Sequence, residues 1–270
     1  ILSADLWFEK FKSQSLKKNE YCFTFDDGLK SQFRIALPIL KKYNIKCFWF
    51  IFSSIFNKEY DQNEINKYFY TKSFKNFSDF FYYFKNELNS LKKKNHFLKP
   101  LHQKKANNYL KKFKFYTEDE KLYRYLRDFV LTKKEFLVIH KKLFKKFKFS
   151  EKKVVKKLWI SKEDLKKIIN LRHVIGLHSH SHSSNITDKK YYGQYLEYKN
   201  NLQSLKKIYN RKIFSSSHPF NRFNQDSIKA LKKLGITLSF KALYDKKFDA
   251  MSLPRIDSVN ILKANFKVEK

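Results

Sequence analysis

The chain has 270 residues, of which 42% are hydrophobic, and 59 Lys and Arg against 25 Asp and Glu give it a net charge of +34. This length suffices for a sizeable core in one large domain or two smaller ones, two cysteines exclude a disulfide framework, and no apolar run approaches the ~18–20 residues of a membrane-spanning helix. The positive charge indicates either an anionic partner or a general drift of composition toward lysine, and the spread of lysines along the chain favours drift.

The first elements of the chain predict a βαβ unit. Residues 1–20 fit a short helix and a lysine-rich turn, and residues 21–25 suit a buried strand. Apolar positions at helical spacing follow over 31–43, with Pro38 as a kink or a late helix start, and 46–51 predict a second buried strand. Strand, helix and strand within about 30 residues imply a parallel sheet.

Two adjacent carboxylates, Asp26 and Asp27, follow the first predicted strand and precede Gly28. Successive residues of an extended segment point in different directions, so the two carboxylates can have different roles. The C-terminal mouth of a strand is where barrel enzymes keep their chemistry. Taken alone, however, the segment is explained more simply as a strand that ends in an Asp-Gly turn.

Residues 54–160 interrupt the alternation of strands and helices and predict a mostly helical insertion. Thr117 with Glu120 and Thr132 with Glu135 fit the capping box that starts a helix. The interleaved aromatic and basic residues could serve single-stranded nucleic acid or a glycan, but ordinary helix cores with solvated lysine faces explain them better. The two predicted helix faces are Leu122, Tyr125, Leu126 and Phe129, and Phe136, Ile139, Leu143 and Phe144.

Strands and helices alternate again after residue 160, which predicts an α/β fold with its chemistry at one rim. Ser161 with Asp164 opens a helix, Thr187 and Asp188 are the predicted cap of a long helix, and Gly235 terminates the helix after it. The predicted strands are 173–177, 213–217, 236–240 and a short last one at 252–256.

Three histidines, His178, His180 and His182, alternate directly after the strand predicted at 173–177. If the segment turns helically, the spacing of four brings the imidazoles of His178 and His182 together. Imidazole and carboxylate are ordinary ligands of a zinc-like cation, and the Asp-Asp-Gly strand end of the same sheet supplies a carboxylate. Surface histidines are the alternative interpretation of this motif alone. His180 points away from its neighbours and is predicted to lie outside the ligand set.

The two motifs resemble those of a known family, the polysaccharide deacetylases with the NodB-homology domain (carbohydrate esterase family four). Residues 24–28 read Thr-Phe-Asp-Asp-Gly, the first motif of the family, residue for residue. Residues 178–182 fit its second motif, His-(Ser/Thr)-x-x-His. The resemblance covers roughly 21–52 and 160–257 and leaves the insertion outside.

This resemblance implies both a fold and a chemistry. It implies a distorted (β/α) barrel of about seven parallel strands, formed by 1–53 and 161–270, with 54–160 as the helical insertion. It implies a hydrolase of C–N bonds other than peptide bonds, which removes N-acetyl or related acyl groups from a sugar or polysaccharide. The implied cofactor is a divalent metal, with zinc as the expected ion. The implied metal ligands are Asp27, His178 and His182, and the implied general base is Asp26.

The later motifs depart from the family pattern. The third motif of the family carries an arginine that orients the base, and Ser217 stands at that position here, so Arg222 or Arg255 is the candidate replacement. No histidine follows His218, which makes His218 the predicted general acid for the leaving amine. A loop histidine beside a turn is the alternative interpretation of His218. The residues assigned to substrate binding are Pro219, Phe220 and Arg255.

Two other functions for the chain stay open. A degenerate member of the family would bind metal or glycan with little turnover, which the missing arginine and late histidine favour. A basic nucleic-acid-binding protein rests on charge and aromatic content alone, and we expect no specific nucleic-acid partner. Contact with an anionic surface polymer or a membrane surface is compatible with the charge. No secretory leader is visible, and the compartment, cytoplasm or cell envelope, stays open.

Overall fold

The chain forms two compact units, one of residues 1–61 and 156–270 and one of residues 62–155. We propose that they correspond to the predicted deacetylase part and the predicted insertion. Parts of the insertion (54–160) and of the C-terminal part (161–270) lie outside the residues that the structure, a computed structural model, describes. The described residues are 1–91, 100–111, 116–244, 246–258 and 260–261.

A parallel sheet of five strands lies in the first unit, in the order β1-β2-β3-β4-β5. Parallel neighbours that follow one another in sequence need crossover connections, so all the C-terminal strand ends lie at one edge. The predicted α/β fold is confirmed, but the expectation of about seven strands is not: in the described part of the chain, the strand predicted at 252–256 is only one parallel bridge, from Phe240 to Leu253. The strands are β1 (Thr24–Phe25), β2 (Phe48–Ile51), β3 (Val174–Leu177), β4 (Ser215–Ser217) and β5 (Leu238–Phe240).

Most helix starts follow their sequence signals. Pro38 stands in the first turn of a helix that begins at Leu37, but helical residues at 30–31 and a π-helical stretch at Gln32–Ala36 lead directly into it. The helical run therefore starts before the proline, and the predicted late start is not observed. The predicted cap at Thr187 and Asp188 is wrong, because these residues belong to a 3-10 turn (Ile186–Asp188) and the long helix begins at Tyr191. The helices are α1 (Ala4–Lys12), α2 (Leu37–Lys42), α3 (Gln62–Ser73), α4 (Phe77–Ser90), α5 (Pro100–Tyr109), α6 (Glu118–Tyr125), α7 (Lys133–Lys146), α8 (Glu151–Leu158), α9 (Lys162–Asn170), α10 (Tyr191–Lys206) and α11 (Gln225–Lys233).

The core of the first unit is built on β2 and β3, which are buried at every position, as their apolar runs predict. Phe50 pairs with Gly176 in the register of these strands, and a Cβ on Gly176 would lie 2.5 Å from the Phe50 ring. Glycine at this position therefore lets the Phe50 ring lie across β3. Trp7 of α1 covers the same cluster, edge-on to Phe48 with 6.3 Å between ring centroids.

The described part of the second unit is helical and has an aromatic core. Phe69, Phe80 and Phe84 have no exposed surface, and Phe69 lies edge-on to Phe144 with 4.8 Å between ring centroids. These rings are therefore engaged with one another rather than presented to a ligand, which favours the interpretation of the insertion as an ordinary helical core.

The predicted faces of α6 and α7 differ in outcome. Both capping boxes form, and the predicted face of α7 is buried throughout. On α6, however, Phe129 is 55% exposed and Tyr123 takes a core position. Phe129 lies in a π-helical stretch at Leu126–Val130, which adds a residue to the turn and so rotates Phe129 away from the predicted face. Within the described residues, no helix combines the length and apolarity that crossing a membrane requires.

Candidate functional site

Polar side chains follow three strands at one edge of the sheet. Asp26 and Asp27 come directly after β1, His178 after β3 and His218 after β4. The strands β1 to β4 pair in parallel in this order, so their C-terminal ends lie close together. This edge is where parallel α/β sheets place their binding sites.

The turn after β1 is held by Gln32. The amide of Gln32 donates to the Asp26 carbonyl (2.9 Å), and its oxygen accepts the N–H of Leu29 (3.2 Å). Asp27 and Gly28 both have a left-handed backbone, with φ of 72° and 62°. This conformation suits glycine but costs a residue such as aspartate about 1–3 kcal/mol. Asp27 is therefore strained, and its conformation depends on the contacts of this turn.

The carboxylate of Asp27 faces two imidazoles. Its Oδ1 lies 3.1 Å from Nε2 of His178 and 3.1 Å from Nε2 of His182. One candidate ligand atom from each of the three residues lies within 4.8 Å of the other two. The structure thus brings together the three residues predicted as ligands. One carboxylate oxygen and two imidazole nitrogens are a common protein donor set for zinc.

The second nitrogen of each imidazole is held by an acceptor. Nδ1 of His178 donates to the backbone carbonyl of Ser217 (2.9 Å), and Nδ1 of His182 donates to the Asp61 carboxylate (2.8 Å). With the proton on Nδ1, the Nε2 atoms of both rings face the carboxylate oxygen of Asp27, so a cation, or a proton on Nε2, must lie between nitrogen and oxygen. Outer hydrogen bonds of this kind orient metal-binding histidines, and the donor set fits a divalent metal.

The pKa shifts of these groups have the same origin. Burial would lower the pKa of His182, but the carboxylates of Asp27 and Asp61 raise it to about 10. Burial would raise the pKa of Asp27, but His182 and His178 outweigh that effect and hold the pKa of this carboxyl well below its usual range. The site therefore contains an ionised carboxylate and stabilises positive charge next to it.

Asp61 is a site residue that sequence reasoning missed. Its carboxylate is 9% exposed and orients His182, which follows it by 121 residues. It lies outside both motifs and beyond the end of β2, so neither motif nor spacing identifies it. Only the tertiary structure connects the two residues.

Asp26 has a different partner from Asp27. The guanidinium of Arg255 donates to both of its oxygens, at 2.8 and 2.7 Å, and the hydroxyl of Ser217 donates to Oδ2 at 2.9 Å. Burial would raise the pKa of Asp26, but Arg255, followed by His178, outweighs that effect and lowers the pKa. Asp26 is therefore an ionised carboxylate that is fixed in orientation and does not belong to the ligand cluster.

The guanidinium of Arg255 forms all of its hydrogen bonds with groups of the protein itself. In addition to Asp26, it donates to Thr24 Oγ1 (3.0 Å), Ser217 Oγ (2.9 Å) and the carbonyl of Lys241 (3.1 Å). Together these contacts employ all of the roughly five N–H donors of an arginine. These contacts give no support to the predicted substrate contact of Arg255 and favour the alternative, in which Arg255 replaces the arginine that Ser217 displaced.

His218 is placed unfavourably for the predicted general-acid role. Its ring is 1% exposed and stacks on Phe223 with 4.0 Å between centroids. Its Nε2 donates to the carbonyl of Met251 (2.8 Å) and lies 3.0 Å from Ser239 Oγ. Burial lowers the pKa of His218 to about 4, so the ring is neutral near pH 7. These contacts indicate a structural residue of the core.

Of the remaining residues that the sequence singled out, Phe220 adjoins the ligand cluster, whereas Pro219 and His180 do not contribute to it. Phe220 stacks on His182 with 4.5 Å between centroids and is 36% exposed, whereas Pro219 is buried. His180 lies outside the ligand cluster, as expected, with Nδ1 2.8 Å from the hydroxyl of Ser53. Phe220 thus adjoins the site with an accessible ring, and Pro219 offers no comparable surface.

Comparison with known proteins extends these observations. The family model described as polysaccharide deacetylase matches residues 118–239, which include the second histidine motif but not residues 24–28. The match begins inside the predicted insertion, earlier than the motifs indicated. A search of curated protein sequences finds no match.

Solved structures of bacterial deacetylases share the fold. The Streptococcus pyogenes deacetylase PplD, in complex with acetate, superposes with a TM-score of 0.54 at 13% identity, over 97% of this chain and 77% of PplD. A de-N-acetylase from Aggregatibacter actinomycetemcomitans gives 0.52 at 13%, over 94% and 76% of the two chains. The BpsB deacetylase domain from Bordetella bronchiseptica gives 0.51 at 11%, over 94% and 77%. Together with the family match, these likenesses confirm the resemblance to polysaccharide deacetylases.

Proposed function

We propose that this relative of the polysaccharide deacetylases is a metal-dependent hydrolase that removes N-acetyl or related acyl groups from a sugar or polysaccharide. One observation carries the proposal. Asp27 Oδ1 lies 3.1 Å from Nε2 of both His178 and His182, while the adjacent Asp26 is held in a bidentate pair with Arg255. A ligand cluster and a separately oriented carboxylate side by side suit metal-assisted hydrolysis of an amide, which uses a Lewis acid and a base.

Asp27, His178 and His182 would hold the metal, for which zinc is the ion best suited to two imidazoles and a carboxylate. When bound, the metal supplies Lewis acidity, which polarises the amide carbonyl and lowers the pKa of water. Ser217 and Asp61 keep the two imidazoles in the tautomer that leaves Nε2 free to bind.

Asp26 acts as the general base in this proposal. Its lowered pKa keeps it ionised near pH 7, so it is ready to accept the proton of the attacking water. Arg255 and Ser217 fix the direction of its oxygens, which limits the misalignment that reduces proton transfer. The same carboxyl, once protonated, is the group adjoining the site that can return the proton to the leaving amine.

Phe220 supplies an apolar surface for the sugar. Its ring is 36% exposed and stacks on His182. An aromatic face beside the reacting group is suited to contact with a sugar ring. The acetate in the Streptococcus pyogenes neighbour is the product that this reaction would release.

A degenerate relative that binds metal or glycan with little turnover is the second candidate. The burial of His218, with its Nε2 bonded to Met251, favours it, because the chain then lacks a histidine acid after the metal motif. The retained pair of Asp26 and Arg255 favours the active enzyme instead.

The test is to purify the protein, measure its metal content, and assay release of acetate from an N-acetylated chitooligosaccharide. The proposal expects about one divalent metal per chain and metal-dependent acetate release that a chelator abolishes. Metal without acetate release would support the degenerate relative. The absence of bound metal after zinc loading would contradict the metal-dependent hydrolase and would leave only a degenerate relative that binds glycan.

A further inference from the structure

The buried face of α10 carries three polar side chains beside its apolar ones, Tyr198, Leu202 and Leu205, whereas a packed helix normally has an apolar stripe. Gln194, Glu197 and Asn201 have exposures of 0%, 9% and 0%. Buried polar groups cost free energy unless they are hydrogen bonded, so such a face needs matching partners. Glu197 and Asn201 find theirs in the histidine loop, which we define as residues 178–182.

Asn201 ties the start of the histidine loop to the sheet. Its Oδ1 accepts the backbone N–H of His178 (2.9 Å), and its Nδ2 donates to the backbone carbonyl of Ile51 (2.9 Å). Ile51 pairs with Leu177 in the register of β2 and β3, so one amide bridges the two strands where they end. Truncating Asn201 would leave two buried backbone groups without these partners.

Glu197 holds the other end of the loop. One carboxylate oxygen accepts the N–H of Ser181 (2.9 Å), and the other accepts the Ser181 hydroxyl (2.8 Å) and the Lys189 ammonium (2.9 Å). Glu197 and Asn201 are four residues apart and therefore lie on one face of α10. Asn201 therefore holds the loop at its first histidine, His178, and Glu197 holds it at Ser181, the residue before its last histidine.

The loop between these contacts has an unfavourable backbone. Ser179 and His182 are left-handed, with φ of 60° and 50°, and Ser179 Oγ accepts the N–H of His182 at 3.2 Å. Such conformations persist only where surrounding contacts impose them. The conformation that brings His178 and His182 to the same oxygen of Asp27 thus depends on external anchors.

We propose that Glu197 and Asn201 are positioning residues that set the metal affinity of the site by holding the histidine loop in its strained conformation. This inference rests on the proposed function, since it concerns the same metal. A merely structural role would reduce the stability of the metal-free protein without altering how the ligands meet a bound ion.

The experiment compares Asn201→Ala with Asn200→Ala, whose side chain belongs to an exposed residue of the same helix. Zn²⁺ affinity is measured by competition with a chromophoric chelator, the Co²⁺-loaded proteins are compared by absorption spectrum, and the metal-free proteins by melting temperature. We expect about 10- to 100-fold weaker Zn²⁺ binding and an altered Co²⁺ spectrum for Asn201→Ala. Asn200→Ala should match the wild type in both measurements.

The pair Glu197→Ala and Glu197→Gln decides the matter if Asn201→Ala does not fold. Glutamine retains an oxygen for the Ser181 N–H, so Glu197→Gln should recover most of the affinity that Glu197→Ala loses. Wild-type protein that binds no Zn²⁺ would overturn the proposed function and this inference with it. Wild-type Zn²⁺ binding, with unchanged affinity and Co²⁺ spectrum in Asn201→Ala and Glu197→Ala, would overturn this inference alone.

Discussion

Asp26 and Asp27 are neighbours in the chain, but the two regions around them differ. Asp27 faces the Nε2 atoms of two histidines, whereas Asp26 faces the guanidinium of Arg255 and the hydroxyl of Ser217. The left-handed backbone of Asp27 helps to separate their directions. Two adjacent carboxylates thus differ in chemistry because their partners differ. Imidazole nitrogens beside Asp27 suit the proposed metal ligand, and fixed N–H donors beside Asp26 suit the proposed base.

The largest effect is expected from breaking the Asp27 side of the comparison with His182→Ala. The site would lose one of three ligands, so metal binding and hydrolysis should both fall below detection. Metal analysis and acetate release measure the two effects. His180→Ala, in the same loop but outside the cluster, is the matched control and should keep both. Equal losses in the two variants would contradict the ligand assignment.

Breaking the Asp26 side should have a smaller and different effect. Arg255→Ala removes the donors that orient Asp26, and we expect turnover to fall by about 10²-fold with metal content unchanged. Arg255→Lys keeps the charge but loses the bidentate geometry, so it should recover only part of the activity. Full activity in Arg255→Ala would show that the pair with Asp26 does not position the base.

Asp61→Asn should weaken metal binding around Asp27 without removing any of the three proposed ligands. The hydrogen bond to His182 Nδ1 loses its ionised acceptor, and we expect about 10- to 100-fold weaker metal binding. At saturating metal the turnover number should approach that of the wild type. A turnover deficit that excess metal does not restore would assign Asp61 to another step.

His218→Ala should have the smallest effect on turnover, because the ring of His218 hydrogen bonds to neither the ligand cluster around Asp27 nor the pair of Asp26 and Arg255. Its contacts with Met251 and Phe223 are internal, so the variant should unfold at a lower temperature and retain turnover within a few-fold per folded molecule. Turnover per folded molecule is measured after size-exclusion chromatography. A fall of about 10²-fold, with metal retained, would restore the general-acid role.

The sequence predicted the parts of the site that depend on local pattern. Apolar runs located β2 and β3, and polar residues at strand ends placed the Asp-Asp-Gly segment and the pair His178 and His182 at one edge, since ends of parallel strands share it. The choice of Asp27 as the expected ligand came from the family resemblance. The expectation of about seven strands came from the resemblance rather than from the residues, and the five strands of the described residues do not confirm it. Short strands such as β1, with two residues in the ladder, leave little periodic signal.

The supporting residues could not be predicted, because their partners are distant in sequence. Asp61 meets His182 across 121 residues, and Arg255 meets Asp26 across 229. The sequence left Arg222 and Arg255 as equal replacements for the missing arginine, and only tertiary structure distinguishes them. The burial of His218 could not be predicted for a related reason: following a strand predicts the edge of the sheet on which a residue lies but not whether its ring faces the site or the core.

The central claim is the division of labour between the two carboxylates, and metal content in Asp26→Asn and Asp27→Asn tests it most directly. Both variants remove one charge from adjacent residues, so each controls for the other. We predict that, like the wild type, Asp26→Asn retains about one metal per chain but loses nearly all hydrolysis, because a base is not a ligand. Asp27→Asn should lose the metal itself. Equal metal loss in the two variants, or equal retention, would contradict the account.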